Sequence, residues 1–246
     1  VTLLSVQGVS KRFGGLLAVS DASFEVAEGS ITGLIGPNGA GKTTLFAIVS
    51  GFERPTSGTV AYLGAVIAGR APHLLARDGI ARTFQIVQPF AGLTVRENIA
   101  VGAFLRHRRR AEAVAVAERV AERVGLSHEL DKPAAALTVA GRKRVELAKA
   151  LATEPKLLLL DEVLAGLNPS EVRDIVPVVR AIRDGGITVL MIEHVMQAVM
   201  NLCDAVHVLA QGRIIAGGTP RQVVGDPAVI EAYLGHGAAT RLASHA

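Results

Sequence analysis

Nine consecutive residues, Gly36-Pro37-Asn38-Gly39-Ala40-Gly41-Lys42-Thr43-Thr44, fit the pattern G-x-x-x-x-G-K-[ST] at every position. The chemistry of such a stretch is phosphate binding. Its glycines let the backbone turn tightly and aim N–H groups inward, and the positive end of the following helix faces the same anion. Lys42 is placed to reach the β- and γ-phosphates of a nucleotide, and the Thr43 hydroxyl to ligate Mg²⁺. Two further groups suit the same chemistry. Asp161-Glu162 follows the apolar run Leu157 to Leu160, and His194 follows the apolar run Ile187 to Ile192. Asp161 can hold Mg²⁺ through its water shell, Glu162 can polarise an attacking water, and a neutral imidazole at 194 can donate or accept near a γ-phosphate. Taken as a set, these residues define a phosphoryl-transfer site.

The surrounding sequence supplies the elements that would hold them. Ser30 to Ile35 reads as a buried strand entering the glycine-rich loop, and Thr43 to Ser50 as a helix leaving it. Before it, Leu3 to Phe24 is β-prone and broken by Gly14-Gly15, and Ala22-Ser23-Phe24-Glu25-Val26 alternates, so antiparallel strands are expected. Strands are also expected at Gly58 to Leu63 and at Ile80 to Phe84, the latter ending in the polar amide of Gln85. From Thr94 to about Val124 the period becomes helical, with Val114, Ala117, Ala121 and Val124 on one face and Glu118, Arg119, Glu122 and Arg123 off it. A second helix is predicted from Thr138, its N-cap, to Ala152, with Val145, Ala148 and Leu151 inward. Leu157 to Leu160 suits a central strand covered on both faces, and ligands gather at the carboxyl ends of such strands. Asn168-Pro169-Ser170-Glu171 opens another helix, in which Pro177 predicts a kink. Ala205 to Ala210 and Arg213 to Ala216 form a hairpin about Gln211-Gly212; a short helix spans Val229 to Leu234, and the tail from Gly235 to Ala246 is expected to fray. The sum is an α/β fold.

At 246 residues, half of them hydrophobic, the chain can bury a substantial core. Its longest apolar runs are far too short to cross a bilayer and Val1 to Leu4 is no secretory signal, so a cytoplasmic location is expected. Cys203, the one cysteine, cannot form an internal disulfide and suits a small core position. A formal charge of +4 is compatible with an anionic membrane face, nucleic acid or nucleotide, but 4% aromatic residues and no tryptophan argue against a stacking platform for single strands. The basic run Arg106-His107-Arg108-Arg109-Arg110 fits a solvated helix start, or contact with lipid headgroups or a partner. Phe13 likewise fits two roles, a stacking face for adenine or a hairpin core residue.

Over nearly its whole length the chain resembles the ATP-binding subunits of ABC transporters. By that resemblance Phe13 matches the adenine-stacking aromatic, Gly36 to Thr44 the Walker A loop, Gln85 the Q-loop glutamine, and Leu157 to Glu162 the Walker B strand with its catalytic glutamate. Ala165-Gly166-Leu167-Asn168 matches the D-loop and His194 the switch histidine. The family signature Leu-Ser-Gly-Gly-Gln falls on Leu137-Thr138-Val139-Ala140-Gly141; Thr138 keeps the hydroxyl, whereas Ala140 replaces the second glycine and Gly141 the glutamine. A methyl at 140 hinders approach to phosphate if φ is positive there. What the resemblance implies is one ATPase domain over 1–246 with a P-loop NTPase (RecA-like) core, an N-terminal antiparallel β subdomain and an α-helical subdomain inserted at about 87–155. It implies ATP and Mg²⁺ as ligands, with Thr43, Gln85 and Asp161 at the metal and Thr138, Ala140 and Gly141 at the nucleotide of a second ATPase subunit, identical or different. It also implies membrane-spanning permease subunits as partners, a solute-binding protein indirectly, no nucleic acid, and a peripheral place on the cytoplasmic face of the cell membrane.

Within that family, Ala81-Arg82-Thr83-Phe84-Gln85, Leu93-Thr94-Val95-Arg96-Glu97-Asn98-Ile99, Ala165 to Pro169 and Ile230-Glu231-Ala232-Tyr233-Leu234-Gly235 look most like branched-chain amino acid importer ATPases, with the lipopolysaccharide-export ATPase a near relative. Another class is an ABC-type ATPase acting on nucleic acid or ribosomes; such proteins usually fuse two ATPase units or carry long coiled coils, and no sustained heptads occur here. A P-loop kinase would leave Gln85, His194 and residues 137–141 without a role.

Overall fold

The structure, a computed structural model, describes residues 1–234; the tail expected to fray, Gly235 to Ala246, lies outside the described residues. In chain order the strands are β1 (Thr2–Phe13), β2 (Leu16–Ala27), β3 (Ile31–Ile35), β4 (Ser57–Tyr62), β5 (Ala65–Val66), β6 (Ile80–Arg82), β7 (Leu157–Asp161), β8 (Thr188–Ile192), β9 (Ala205–Ala210) and β10 (Arg213–Gly218). The helices are α1 (Lys42–Val49), α2 (Pro72–Asp78), α3 (Val95–Ala103), α4 (Arg110–Arg123), α5 (Val139–Leu151), α6 (Pro169–Asp184), α7 (Met196–Leu202), α8 (Pro220–Val224) and α9 (Pro227–Leu234). Backbone packing divides the chain into two units, Val1–Pro72 together with the chain from Leu190 onward, and His73–Val189.

In the first unit β1 and β2 form the expected antiparallel hairpin, extended to the order β2-β1-β4-β5. The alternation read from Ala22 to Val26 is real: Ala22, Phe24 and Val26 are buried, while Ser23 and Glu25 face out. The unit's other strands run β10-β9-β3-β8, with β3 and β9 parallel from Thr32↔Ala205 to Ile35↔Val208. All five residues of β3 are buried, and the Ile31 amide donates to Asp204 Oδ2 at 2.8 Å, which fixes where the strand begins. The β9–β10 hairpin turns at Gln211 and Gly212, both with positive φ, as a two-residue turn requires.

In the second unit β7, buried along its length, pairs in parallel with β6, Ile80 opposite Leu157 and Arg82 opposite Leu159. Strand β6 ends two residues earlier than expected. Thr83 leaves the ladder, yet its amide still donates to Leu159 O at 2.9 Å. Helices α3, α4 and α5 pack together. The single helical stretch expected from Thr94 to Val124 is two helices. Chain direction changes at 104–109, where the Arg106 guanidinium donates to Thr153 O (2.8 Å) and Arg77 O (3.3 Å) and His107 pairs with Glu154 at 2.9 Å. Part of the basic run is thus structural. Of the face expected to be apolar, Ala117, Ala121 and Val124 are buried and Val114 only half so, and Ala113, Val116 and Val120 widen the buried stripe.

Helix starts follow the chemistry of their caps. Asn168 Oδ1 accepts from the Ser170 and Glu171 amides at 2.9 and 3.0 Å, and Glu171 reaches back to the Asn168 amide at 2.8 Å. Helix α6 continues through Pro177 to Asp184. Thr94 and Glu97 form a second capping box at α3, whose hydrogen bonds from Thr94 hold the Glu97 carboxyl below its ordinary pKa.

Candidate functional site

The glycine-rich loop lies wholly in the first unit. Strand β3 delivers the chain to Gly36, whose φ is 147° and whose missing Cβ would stand 1.9 Å from Leu209 O. At Gly41, φ 105°, a Cβ would meet Ala18 O at 2.4 Å; Gly39, φ 77°, has open space and is required by its backbone conformation alone. Helix α1 begins at Lys42, one residue before the expected start. Gly41 as N-cap offers no side chain, and the first turn carries no acid, so an anion is the natural complement to its amides. Lys42 is 6% exposed, and its ammonium donates to Gly36 O at 2.7 Å and Pro37 O at 2.9 Å. Asn38, Gly39 and Thr43 are exposed, Pro37 and Thr44 half-buried, Ala40 buried.

Sequence reasoning assigned no physical role to Tyr233, on α9. Burial raises the pKa of its phenol, and a hydrogen bond from the Gly36 backbone amide opposes that shift, so the last helix touches the first glycine of the loop. Phe13, at the end of β1, is 44% exposed, which removes the core reading; the Lys11 ammonium lies 4.7 Å from its ring centre. His194 is exposed just beyond β8, after the buried Glu193. Cys203 is buried beside Gly33, and burial, then Asp204 and Glu193, push its thiol up to about 12.

The second unit gathers a separate cluster. Asp161, the last residue of β7, is 2% exposed; its Oδ2 accepts from Arg82 Nη2 at 2.7 Å, and its Oδ1 is buried without a hydrogen-bond partner. Glu162 follows with a left-handed backbone, φ 50°, costly for a residue with a side chain. Among the contacts that hold it, Gln85 Nε2 donates to its carboxylate at 2.6 Å, and Lys143 Nζ to its backbone carbonyl at 2.9 Å. Thr83, Glu146 and Lys143 join the two acids around a cavity of about 10 Å³, the size that admits one water. Lys143 and Arg82 escaped the sequence reading, because a lysine in Arg142-Lys143-Arg144 and an arginine at a strand end look like solvated cations.

Thr138 caps α5, its Oγ1 accepting from the Gly141 amide at 3.1 Å. The first signature glycine also lacks a counterpart: Val139 stands there, 52% exposed. Ala140 lies inside α5 and is not among the positive-φ residues, so the conformation in which its methyl would hinder phosphate does not arise. At Gly141 a Cβ would come within 3.1 Å of Leu137 Cβ, which favours glycine under the cap.

Asp161 retains one buried oxygen with no hydrogen-bond partner, and a carboxylate oxygen of that kind is a hard donor that suits Mg²⁺.

The fold and the glycine-rich loop define a P-loop ATPase. The chain matches the ABC transporter family profile over residues 19–165 and that of the branched-chain amino acid ATP-binding cassette transporters over residues 213–239. It is 39% identical to the high-affinity branched-chain amino acid transport ATP-binding protein LivG of Salmonella typhimurium, over 95% of this chain and 98% of that one. To BraF of Pseudomonas aeruginosa, described in the same words, it is 40% identical over the same shares, and to the lipopolysaccharide export ATP-binding protein LptB of Haemophilus influenzae 36% identical over 96% and 98%. A nucleotide-free ATP-binding cassette from an ABC transporter superposes with a TM-score of 0.87 at 34% identity, covering 95% of this chain and 99% of that one. A cassette in its ADP conformation gives 0.86 at 34% identity, covering 96% and 100%. The chain belongs to the ABC transporter ATP-binding family and is an ATP-hydrolysing subunit of that family.

Proposed function

We propose that the chain hydrolyses ATP to drive import of branched-chain amino acids through separate membrane-spanning permease subunits, which a solute-binding protein supplies. The observation that carries the cargo assignment is the match of residues 213–239 to the branched-chain amino acid cassette profile, beside relatives of that description matched over 95% of the chain. Its ATPase domain comprises 1–246, with the helical subdomain inserted at about 87–155. Among the described residues no helix is long and apolar enough to cross a membrane, in keeping with a peripheral subunit on the cytoplasmic face.

Residues 36–44 bind the phosphates through main-chain amides, and Lys42 turns its ammonium from the Gly36 and Pro37 carbonyls to the phosphate oxygens. Phe13 stacks on the adenine. Thr43, Asp161 and Gln85 would hold Mg²⁺, which would supply charge neutralisation at the phosphates. Glu162 accepts a proton from the attacking water, and its strained backbone and two hydrogen bonds fix where the carboxylate points. His194 stabilises charge at the γ-phosphate. Thr138, Ala140 and Gly141 face the nucleotide of a second ATPase subunit, so that binding closes the pair and hydrolysis opens it. Gln85 links this chemistry to the segment after it, where Ile86 and Phe90 expose 74% and 49% of their surface and Asn98 pins the backbone by bonds to Phe90, Leu93 and Thr94; a permease loop docks there.

Purification from membranes with the chain tagged, followed by reconstitution, tests this. Co-purifying permease subunits and ATP-dependent leucine uptake are expected. Co-purification with ribosomes, nucleic acid or lipopolysaccharide-export subunits instead would overturn it.

A further inference from the structure

Helix α4 turns two arginines, Arg119 and Arg123, toward a hollow that none of the nucleotide chemistry uses. The hollow has a volume of about 300 Å³, at the small end of ligand sites, and lies between α4, the end of α5 and the start of β7, all within the second unit. Its floor is apolar: Val116, Val120 and Leu151 are 3%, 6% and 3% exposed, and Ile187 is 9% exposed.

The charges at its rim do not balance. Neither arginine makes an ion pair or a side-chain hydrogen bond among the described residues. Of the carboxylates beside them, Glu118 pairs with Arg96, and Glu154, on the hollow's rim, with His107 at 2.9 Å; Glu122, on α4 between the two arginines, makes no ion pair among the described residues and leaves the rim one positive charge in excess. The helix dipole accounts for Arg123, in the last turn of α4, but not for Arg119 one turn earlier, where two like charges at i and i+4 repel. Glu154 sits in left-handed backbone, φ 54°, and the buried Pro155 follows.

We propose that this hollow binds a small aliphatic carboxylate. The carboxylate meets the paired guanidiniums, whose planar donors match it, and a short branched or straight alkyl body covers the floor. Two sources share that chemistry, simple short-chain acids and free aliphatic amino acids, whose ammonium would face Glu154. No residue lining the hollow belongs to the nucleotide machinery, so binding there is tested without turnover, and a result for leucine, of the class proposed as cargo, is read apart from transport.

Titration calorimetry on the full chain, with isocaproate, leucine and the neutral isocaproamide as probes, decides it. Binding of isocaproate or leucine is expected with a Kd on the order of 0.1–1 mM for so small a ligand. The tighter of the two names the source. Isocaproamide should bind at least ~10-fold more weakly, and so should isocaproate to the R119Q/R123Q variant. The charge-reversed R119E/R123E chain should lose isocaproate and take up isoamylamine. The amide comparison needs no substitution, so it stands even where a variant folds poorly. Failure of both acids to bind at tens of millimolar, or equal binding of acid and amide, overturns the proposal.

Discussion

The side-chain amide of Gln85 donates to the carboxylate of Glu162 at 2.6 Å, joining two residues 77 positions apart in sequence. The same glutamate is strained in left-handed backbone and tethered through its carbonyl by Lys143. A carboxylate held this firmly is placed to take a proton in one direction, and Gln85 reports on its position.

Replacing Glu162 by Gln keeps the size and a hydrogen-bonding end but removes the base. Nucleotide binding should be retained while phosphate release falls by ~10²–10⁴-fold. Gln85→Ala, which removes both a donor to the Glu162 carboxylate and a group proposed to hold Mg²⁺, should cost at least about 10-fold in kcat. Equal turnover of Glu162→Gln and the parent chain in a phosphate-release assay would take Glu162 out of the reaction.

The loop glycines should separate by cause. Gly36→Ala and Gly41→Ala drive a methyl to within 1.9 and 2.4 Å of backbone oxygens, whereas Gly39→Ala meets nothing within 4 Å. Gly39→Ala should cost only the left-handed conformation, about 1–2 kcal/mol. The other two should cost more, because Leu209 and Ala18 must move. Urea unfolding of the three variants side by side checks the order.

Arg82 and Asp161 form a pair with side chains 9% and 2% exposed. Breaking such a pair leaves a buried charge without compensation, so Arg82→Ala should destabilise by ~3–5 kcal/mol, and Arg82→Met with Asp161→Leu should recover most of that loss. Chemical denaturation of the single and double variants measures both. A single substitution costing under about 1 kcal/mol would show that Asp161 is solvated in solution.

How much of this was legible in sequence depends on the range of the contact. Caps such as Thr138 and Asn168 were readable because donor and acceptor lie within three residues, and the alternation of Ala22 to Val26 because a strand repeats every two. The break between α3 and α4 was not readable, since what turns the chain is Arg106 finding carbonyls at Thr153 and Arg77. Short helices α7 and α8 carry too few turns for a period to show. In the candidate site, residue types at strand ends named Asp161, Glu162 and His194. The groups that hold the two acids, Arg82 on Asp161 and Lys143 on Glu162, act across 79 and 19 positions and leave no local pattern. Tyr233 was visible only as a family word, its bond to Gly36 being a product of the fold.

His207, on β9, supplies the pH dependence. Its ring packs 5.3 Å from that of Phe24 and contacts Glu25 O at 3.3 Å. Burial lowers its pKa, and the contact with the Glu25 carbonyl only partly offsets this. With the folded value below the unfolded one near 6.5, the unfolded chain takes up the proton first as pH falls. The contribution of His207 is therefore fully present above about pH 6.5 and is lost as pH drops through the folded value. His207→Leu removes the titration while keeping an apolar group against Phe24. The urea midpoint of the parent chain should fall more steeply than that of His207→Leu between pH 7.5 and 5.5, and parallel curves would show that this ring is solvated in the folded state.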